Sequence, residues 1–111
     1  MIKKGEVWLV DFNPTIGSEQ SGIRPALVIS GNMMNSKFPL SMVCPLTSEP
    51  KKFSGNVNIT ASEQNGLKTD SQVLVFHIKT ISHKRFMKRI GVVEEKYLEL
   101  ITLNLNKLLR Y

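Results

Sequence analysis

The sequence predicts a mainly β protein with one α-helix at its C-terminal end, folded as a small, strongly bent antiparallel sheet or partly open barrel. Three observations lead to this prediction. Short apolar runs alternate with turns rich in glycine, proline and asparagine as far as Val93. From Glu94 onward, the spacing of apolar residues changes to three and four. The chain has 111 residues, which is the size of one domain, so a single domain is expected over 1–111.

Five or six short strands are expected. The second of them is apolar on both of its faces, which is typical of a central strand. A polar connection over 31–39 separates it from the third, and a short basic helix is expected at 83–87, with Ser82 as its cap. The predicted strands are 5–12, 24–30, 40–46, 57–60, 72–76 and 90–93.

The C-terminal helix is predicted by its period. Acidic residues stand in its first turn, and Lys107 and Arg110 stand in its last, as the helix dipole favours. About four turns of amphipathic helix are therefore expected to pack on the sheet. The apolar positions that define the packing face are Tyr97, Leu98, Ile101, Leu105, Leu108 and Leu109.

The chain is basic. It has 15 Lys and Arg against 9 Asp and Glu, a formal net charge of +6, so a polyanionic partner is favoured. Runs of charge are more commonly solvated faces than binding sites, and the sequence does not show whether these side chains share one face. The candidates for contacts with phosphates are Lys51, Lys52, Lys79, Lys84, Arg85, Lys88 and Arg89.

Several classes of protein are disfavoured. Cys44 is the only cysteine, so no disulfide framework exists, which suits the reducing cytoplasm. No apolar run is long enough to span a membrane, and Glu6 and Asp11 interrupt the run that follows the basic start, so no signal peptide is expected. No plausible cluster of metal ligands stands out. We therefore expect a cytoplasmic protein with no metal, no other cofactor and no membrane partner.

A polar loop with glycines at both ends, residues 17–22, connects the first two strands and leads into Arg24 and Pro25. Loops of this kind carry function in small β proteins. The guanidinium of Arg24 cannot lose its charge, so at a strand entrance it must form an ion pair, reach water or meet an anion. Taken alone, the segment leaves open a structural ion pair, which is the more common case, and an anion-binding site.

Longer stretches resemble the MazF/PemK family of toxins, which is related to Kid and CcdB. The family's opening is matched without a gap by GEVWLVDFNP at 5–14, GSEQ at 17–20 and GIRPALVI at 22–29. PLTS at 45–48 resembles a second signature, and KTI at 79–81 resembles an Arg-Thr-Ile motif. The resemblance covers essentially the whole chain and is strongest over residues 5–30.

This resemblance implies an SH3-like barrel, a homodimer and the role of toxin in a type II toxin–antitoxin system. Members of the family are sequence-selective, metal-independent endoribonucleases, or mRNA interferases, that cut single-stranded RNA. Attack by the ribose 2′-hydroxyl would leave a 2′,3′-cyclic phosphate and a 5′-hydroxyl. The implied partners are RNA and a cognate acidic antitoxin whose disordered tail covers the RNA groove. Operator DNA would be bound only through the antitoxin complex.

The same resemblance implies the site residues. Arg24 and Thr47 match the catalytic pair, and Ser18, Glu19 and Gln20 match loop positions that line the RNA groove. Glu19 is the candidate proton acceptor, although an exposed glutamate titrates near 4.3, far from neutral pH. Without the resemblance, Thr47 would be interpreted as forming a turn hydrogen bond at a strand end. The basic residues expected to contact RNA are Lys51, Lys52 and Lys79.

The chain also departs from some members of the family. It has Ser18 where they have a histidine, and Leu74 and Phe76 where they have an arginine and an acid. A mechanism that uses that histidine as base therefore cannot operate here, and the arrangement of arginine and threonine is the one retained.

Two other functions remain as alternatives. One is a toxin of the same fold that poisons DNA gyrase without catalysis, a group that relies on a tryptophan near its C-terminus. This chain ends Leu108-Leu109-Arg110-Tyr111, and its only tryptophan is Trp8. The other is an inactive nucleic-acid-binding module, against which the retention of Arg24 and Thr47 argues.

Overall fold

The computed structural model describes residues 1–13 and 22–110. These ranges contain seven β-strands, two α-helices and two 3₁₀ turns, Val75–His77 and His83–Arg85. In chain order the strands and helices are β1 (Glu6–Asp11), β2 (Ile23–Val28), α1 (Asn32–Lys37), β3 (Leu40–Thr47), β4 (Val57–Ile59), β5 (Ser71–Val73), β6 (Lys79–Ser82), β7 (Phe86–Val92) and α2 (Glu95–Arg110).

The strands form one antiparallel sheet in the order β4-β5-β3-β2-β1-β7, and β6 also pairs with β3. β3 organises this sheet, because it is long enough to have different partners at its two ends. On the side away from β2, its first half pairs with β6 (Met42 opposite Thr80) and its last two residues pair with β5 (Thr47 opposite Gln72). This change of partner produces the bend that the sequence predicted.

Both faces of the sheet are packed. Successive residues of a strand point to opposite faces, so Val7 of β1 joins one core and Val10 and Phe12 join the other. The larger core lies between the sheet and α2, where Ile101 is fully buried. Trp8 is half-buried and packs edge-to-face on Phe86.

The six predicted strands are confirmed in place, and β6 (Lys79–Ser82) is a further strand that the sequence did not predict. Three other differences stand out. The polar connection over 31–39 contains α1. The strand predicted over 72–76 ends at Val73, because the chain turns at Val75–His77, where the N–H of His77 bonds to the carbonyl of Leu74. The helix predicted at 83–87 is a 3₁₀ turn, and Phe86 already begins β7.

α2 has the predicted period, with Tyr97, Leu98 and Leu105 packed against the buried Ile101. Its last turn differs from the prediction: Leu108 is substantially exposed, and Leu109 is 85% exposed. Within the described ranges, no helix is both long and apolar enough to cross a bilayer.

Candidate active site

Arg24, near the start of β2, and Thr47, at the end of β3, come from neighbouring strands. Ala26 pairs with Pro45, and two further steps of this antiparallel register bring Arg24 level with Thr47. Both residues line one cavity of about 640 Å³. The structure therefore brings together the two residues that the resemblance singles out.

The lining of this cavity is cationic and rich in hydroxyl groups. Its cations are Arg24, Lys68 and Lys88, and no described residue that lines it is acidic. Such a lining is suited to an anion with several oxygen acceptors, such as a phosphodiester. The hydroxyl-bearing residues are Thr47, Ser48, Thr69 and Ser71, and the apolar lining consists of Leu9, Ile23, Pro25, Leu46, Leu67 and Ile90.

The hydroxyl of Thr47 is held in place but only weakly engaged as a donor. Thr47 is 7% exposed, and the backbone N–H of Glu49 donates to its Oγ1 at 3.1 Å. Oγ1 in turn donates to the carbonyl oxygen of Glu49 over a long distance of 3.4 Å between the two oxygens. Because a hydrogen bond of this length is weak, Thr47 makes the expected strand-end turn and still has a proton to donate to a ligand.

The segment after Thr47 is fastened by Gln72, the residue opposite Thr47 in β5. The amide oxygen of Gln72 accepts the backbone N–H of Lys51 at 2.9 Å, and its nitrogen donates to the carbonyl of Lys51 at 3.2 Å. The buried side chain thus pairs with Lys51 as a neighbouring strand would. A further bond from Gln72 to Asn58 ties the same segment to β4.

The opposite wall is the connection between β4 and β5, which Asn65 organises. Asn65 is completely buried, and its amide nitrogen donates to the carbonyl of Thr60 and to Glu94. Its amide oxygen accepts the backbone N–H groups of Ser62 and Leu67. All the hydrogen-bonding capacity of this side chain is therefore used in shaping the wall.

The other predicted site residues lie elsewhere. Ser18, Glu19 and Gln20 fall outside the described residues. Lys51 lines a separate cavity of about 450 Å³ beside Asn58 and Asp70. Lys52 is exposed and Lys79 lies 5.8 Å from the ring of Phe12, and neither lines the cavity of Arg24 and Thr47.

The basic residues in and just before β7 lie in different environments. They are Lys84, Arg85, Lys88 and Arg89. Arg89 donates to Glu6 at 2.7 Å, and Arg85 donates to the backbone carbonyls of Asp11 and Asn13. Only Lys88 of this run lines the cavity. Sequence reasoning placed Lys88 in a broad set of cations and missed Lys68, whose only signal is that it follows the turn at Asn65 and Gly66.

Cys44 and the two histidines do not contribute to the cavity lining. Cys44 is buried, and desolvation raises the pKa of its thiol to about 12, so the thiolate needed for nucleophilic attack does not form near neutral pH. The Nε2 of His83 lies 2.8 Å from the hydroxyl of Ser41, in a contact outside the cavity. The described residues include no group of three His, Cys, Asp or Glu side chains arranged to hold a metal ion.

Comparison with known proteins identifies relatives of similar length. The chain is 32% identical over 101 residues to endoribonuclease EndoA of Bacillus subtilis, covering 89% of this chain and 86% of EndoA. It is 35% identical over 106 residues to the endoribonuclease toxin MazF of Escherichia coli, covering 95% and 91% of the two chains.

Solved structures have the same fold. MazF of Deinococcus radiodurans superimposes with a TM-score of 0.87 at 27% identity, covering 99% of this chain and 97% of that one. A mycobacterial endoribonuclease in complex with its cognate antitoxin gives a TM-score of 0.81 at 21% identity, covering 98% and 95%. The family model for PemK-like, MazF-like toxins matches residues 3–109. Since this match includes every described strand and nearly all of α2, the chain belongs to the PemK-like, MazF-like toxins of type II toxin–antitoxin systems.

Proposed function

We propose that this protein is a sequence-selective endoribonuclease that cleaves single-stranded RNA without a metal ion. The observation that carries the proposal is the cavity in which Arg24 and Thr47 meet, because its described charges are all positive. The relatives EndoA and MazF, which are named endoribonucleases, support the same activity.

RNA carries its own nucleophile, so the protein needs to supply orientation, charge and proton transfer. The ribose 2′-oxygen attacks the adjacent phosphorus as its proton leaves, and the bond from phosphorus to the 5′-oxygen breaks. The products would be a 2′,3′-cyclic phosphate and a 5′-hydroxyl. In this scheme the Arg24 guanidinium donates to two non-bridging oxygens and stabilises their added negative charge.

Thr47 would act as a neutral donor beside Arg24. Since its Oγ1 already accepts from Glu49, the orientation of the hydroxyl is fixed by the fold rather than by the substrate. Its proton would move from the long contact with the Glu49 carbonyl to a phosphate oxygen or to the departing 5′-oxygen. Such a preorganised donor stabilises developing charge with little reorganisation.

The loop between β1 and β2 would complete the site. We assign Ser18 and Gln20 to the RNA groove and Glu19 to the role of proton acceptor, because the described part of the cavity lining includes no carboxylate. Lys51, Lys52 and Lys79 lie outside this cavity and would contact more distant parts of the RNA.

The positive charge of the cavity lining suits an antitoxin with an acidic segment. This segment would compete with RNA for the cavity, and both proteins would act in the cytoplasm.

A second copy of the chain is the expected partner in a homodimer. Exposed apolar side chains, including Phe38, Phe53, Phe76 and Leu103, leave surface for these assemblies.

The test is cleavage of a long, structureless RNA by purified protein in the presence of a chelator. We expect full activity, cyclic phosphate ends and a loss of about 10²–10³-fold in kcat for Arg24→Ala, the typical effect of removing one oxyanion donor. Arg110→Ala, which removes the same group from the end of α2, is the matched control. Activity that disappears in chelator and returns with magnesium, or an Arg24→Ala protein that is folded and fully active, would contradict the proposal.

A further inference from the structure

We infer that Lys68 and Lys88 form a second phosphate-binding subsite, which holds an RNA phosphate next to the one that is cleaved. This inference rests on the proposed function for its ligand. It rests on the structure for the two lysines, since both line the cavity of Arg24 and Thr47 although they come from different parts of the chain.

Neither lysine is committed to a partner among the residues that the structure describes. Both side chains are exposed, and within residues 1–13 and 22–110 neither makes an ion pair or a side-chain hydrogen bond. The neighbouring Arg89 differs, because Glu6 neutralises it. Two unpaired ammonium groups in a concave site with no described acidic lining are suited to an anion from outside.

The separation of Lys88 from Arg24 favours two phosphates rather than one. Leu9 of β1 pairs with Pro25 on one side and with Lys88 on the other, so these residues lie in a row across three strands. Two strand spacings separate Pro25 from Lys88, roughly 10 Å. Arg24 precedes Pro25 in β2 and lines the same cavity as Lys88, so an RNA strand that reaches both side chains has to cross this distance.

Lys68 is held close to the strand that carries Lys88. A Cβ at Gly66 would lie 1.8 Å from the carbonyl oxygen of Ile90, and one at Gly91 would lie 2.3 Å from the carbonyl of Asn65. A side chain at either position would prevent this close approach of the two backbones, so both positions require glycine. Gly66 also has a positive φ of 71°. The wall that carries Lys68 is thus fastened to β7 two residues beyond Lys88.

The test is the salt dependence of binding to a short 2′-O-methyl oligoribonucleotide, measured by fluorescence anisotropy. The 2′-O-methyl group removes the nucleophile, so binding is measured without cleavage. The slope of log Kd against log salt between about 50 and 200 mM should become shallower by ~0.7 in Lys68→Gln and in Lys88→Gln, and by ~1.4 in the double variant. Lys3→Gln/Lys107→Gln, with the same change in net charge away from the cavity, should keep the wild-type slope.

A charge-conserving variant and steady-state kinetics distinguish a loss of binding from a loss of folding. Lys68→Arg/Lys88→Arg should restore the wild-type slope, because the positive charges are kept. On unmodified RNA, the glutamine variants should raise KM and leave kcat close to wild type, since a contact outside the reacting phosphate stabilises ground and transition states alike.

A folded glutamine double variant with the slope of the control would overturn the inference, and so would wild-type protein that does not bind the oligonucleotide. Loss of binding to a polyglutamate peptide alone, with RNA binding intact, would overturn it in favour of an acidic protein ligand. Wild-type protein that binds with the expected slopes but cuts no RNA would contradict the proposed function and leave the subsite standing.

Discussion

Two polar regions of the molecule differ in where their hydrogen bonds and charges are satisfied. In the wall built by Ser62, Asn65 and Glu94, the side chains bond to one another and to the backbone. In the cavity that this wall borders, the lysines have no partner among the described residues. The first region holds the chain in shape, and the second is available for a ligand.

Lys88 and Arg89 show the same difference at adjacent positions. Because successive residues of β7 point to opposite faces, Lys88 lines the cavity while Arg89 donates to Glu6 on the other face. Glu6 also accepts the indole N–H of Trp8. A polar residue with a complete set of internal partners therefore predicts a loss of stability on mutation. A polar residue without them predicts a loss of binding.

The largest expected effect on stability is that of Asn65→Ala. The substitution leaves two backbone N–H groups, one carbonyl and Glu94 without their buried partner. The free energy of unfolding should fall by about 2 to 4 kcal/mol, measured by urea denaturation. Asn106→Ala on the exposed side of α2 is the control and should change it by less than about 0.5 kcal/mol. Equal changes in the free energy of unfolding for the two substitutions would contradict the structural role of the wall around Asn65.

Thr47 lies between the two regions, since its hydroxyl accepts from the backbone and faces the cavity. Thr47→Ala should lower kcat by about tenfold, the loss of one neutral hydrogen bond in the transition state, with little change in stability. Thr47→Ser keeps the hydroxyl and should retain most of the rate, and Thr80→Ala on β6 should retain all of it. A serine variant as slow as the alanine variant would assign the effect to packing.

The smallest effect is expected at Glu6. Burial by itself would raise the pKa of this carboxyl, but hydrogen bonds from Trp8, from the backbone of Lys3 and from Arg89 hold its pKa below the ordinary value. Because the folded-state pKa is the lower one, the carboxylate stabilises the fold above its unfolded pKa, near 4.3. This stabilisation is lost as the pH falls through the folded value.

Glu6→Gln should therefore lower the free energy of unfolding by about 1 kcal/mol at neutral pH and reduce the loss of stability in acid. Chemical denaturation across the acid range measures both effects, with the exposed Glu99→Gln as control. Some acid sensitivity should remain from Glu94, whose pKa is lowered by the hydrogen bond from Ser62. An acid profile identical to wild type would show that Glu6 does not contribute.

The sequence alone determined the features that depend on local pattern. Apolar runs bounded by turn residues predicted the strands, and the spacing of Tyr97, Leu98, Ile101 and Leu105 predicted α2 and the face it packs. The segments around Arg24 and Thr47 predicted the family and the two residues that meet in the cavity. The strands and α2 are encoded in residues that are neighbours in the chain, whereas the meeting of Arg24 and Thr47 also depends on the register of β2 and β3.

Tertiary structure decided which charged residues share a surface. Alternation along β7 predicts that Lys88 and Arg89 separate, but pairing with β1 determines that Lys88 takes the cavity. Lys68 reaches the same cavity through the contact of Gly66 with Ile90, a packing of two backbones far apart in sequence. Such contacts depend on long-range register, which no local pattern of residues specifies.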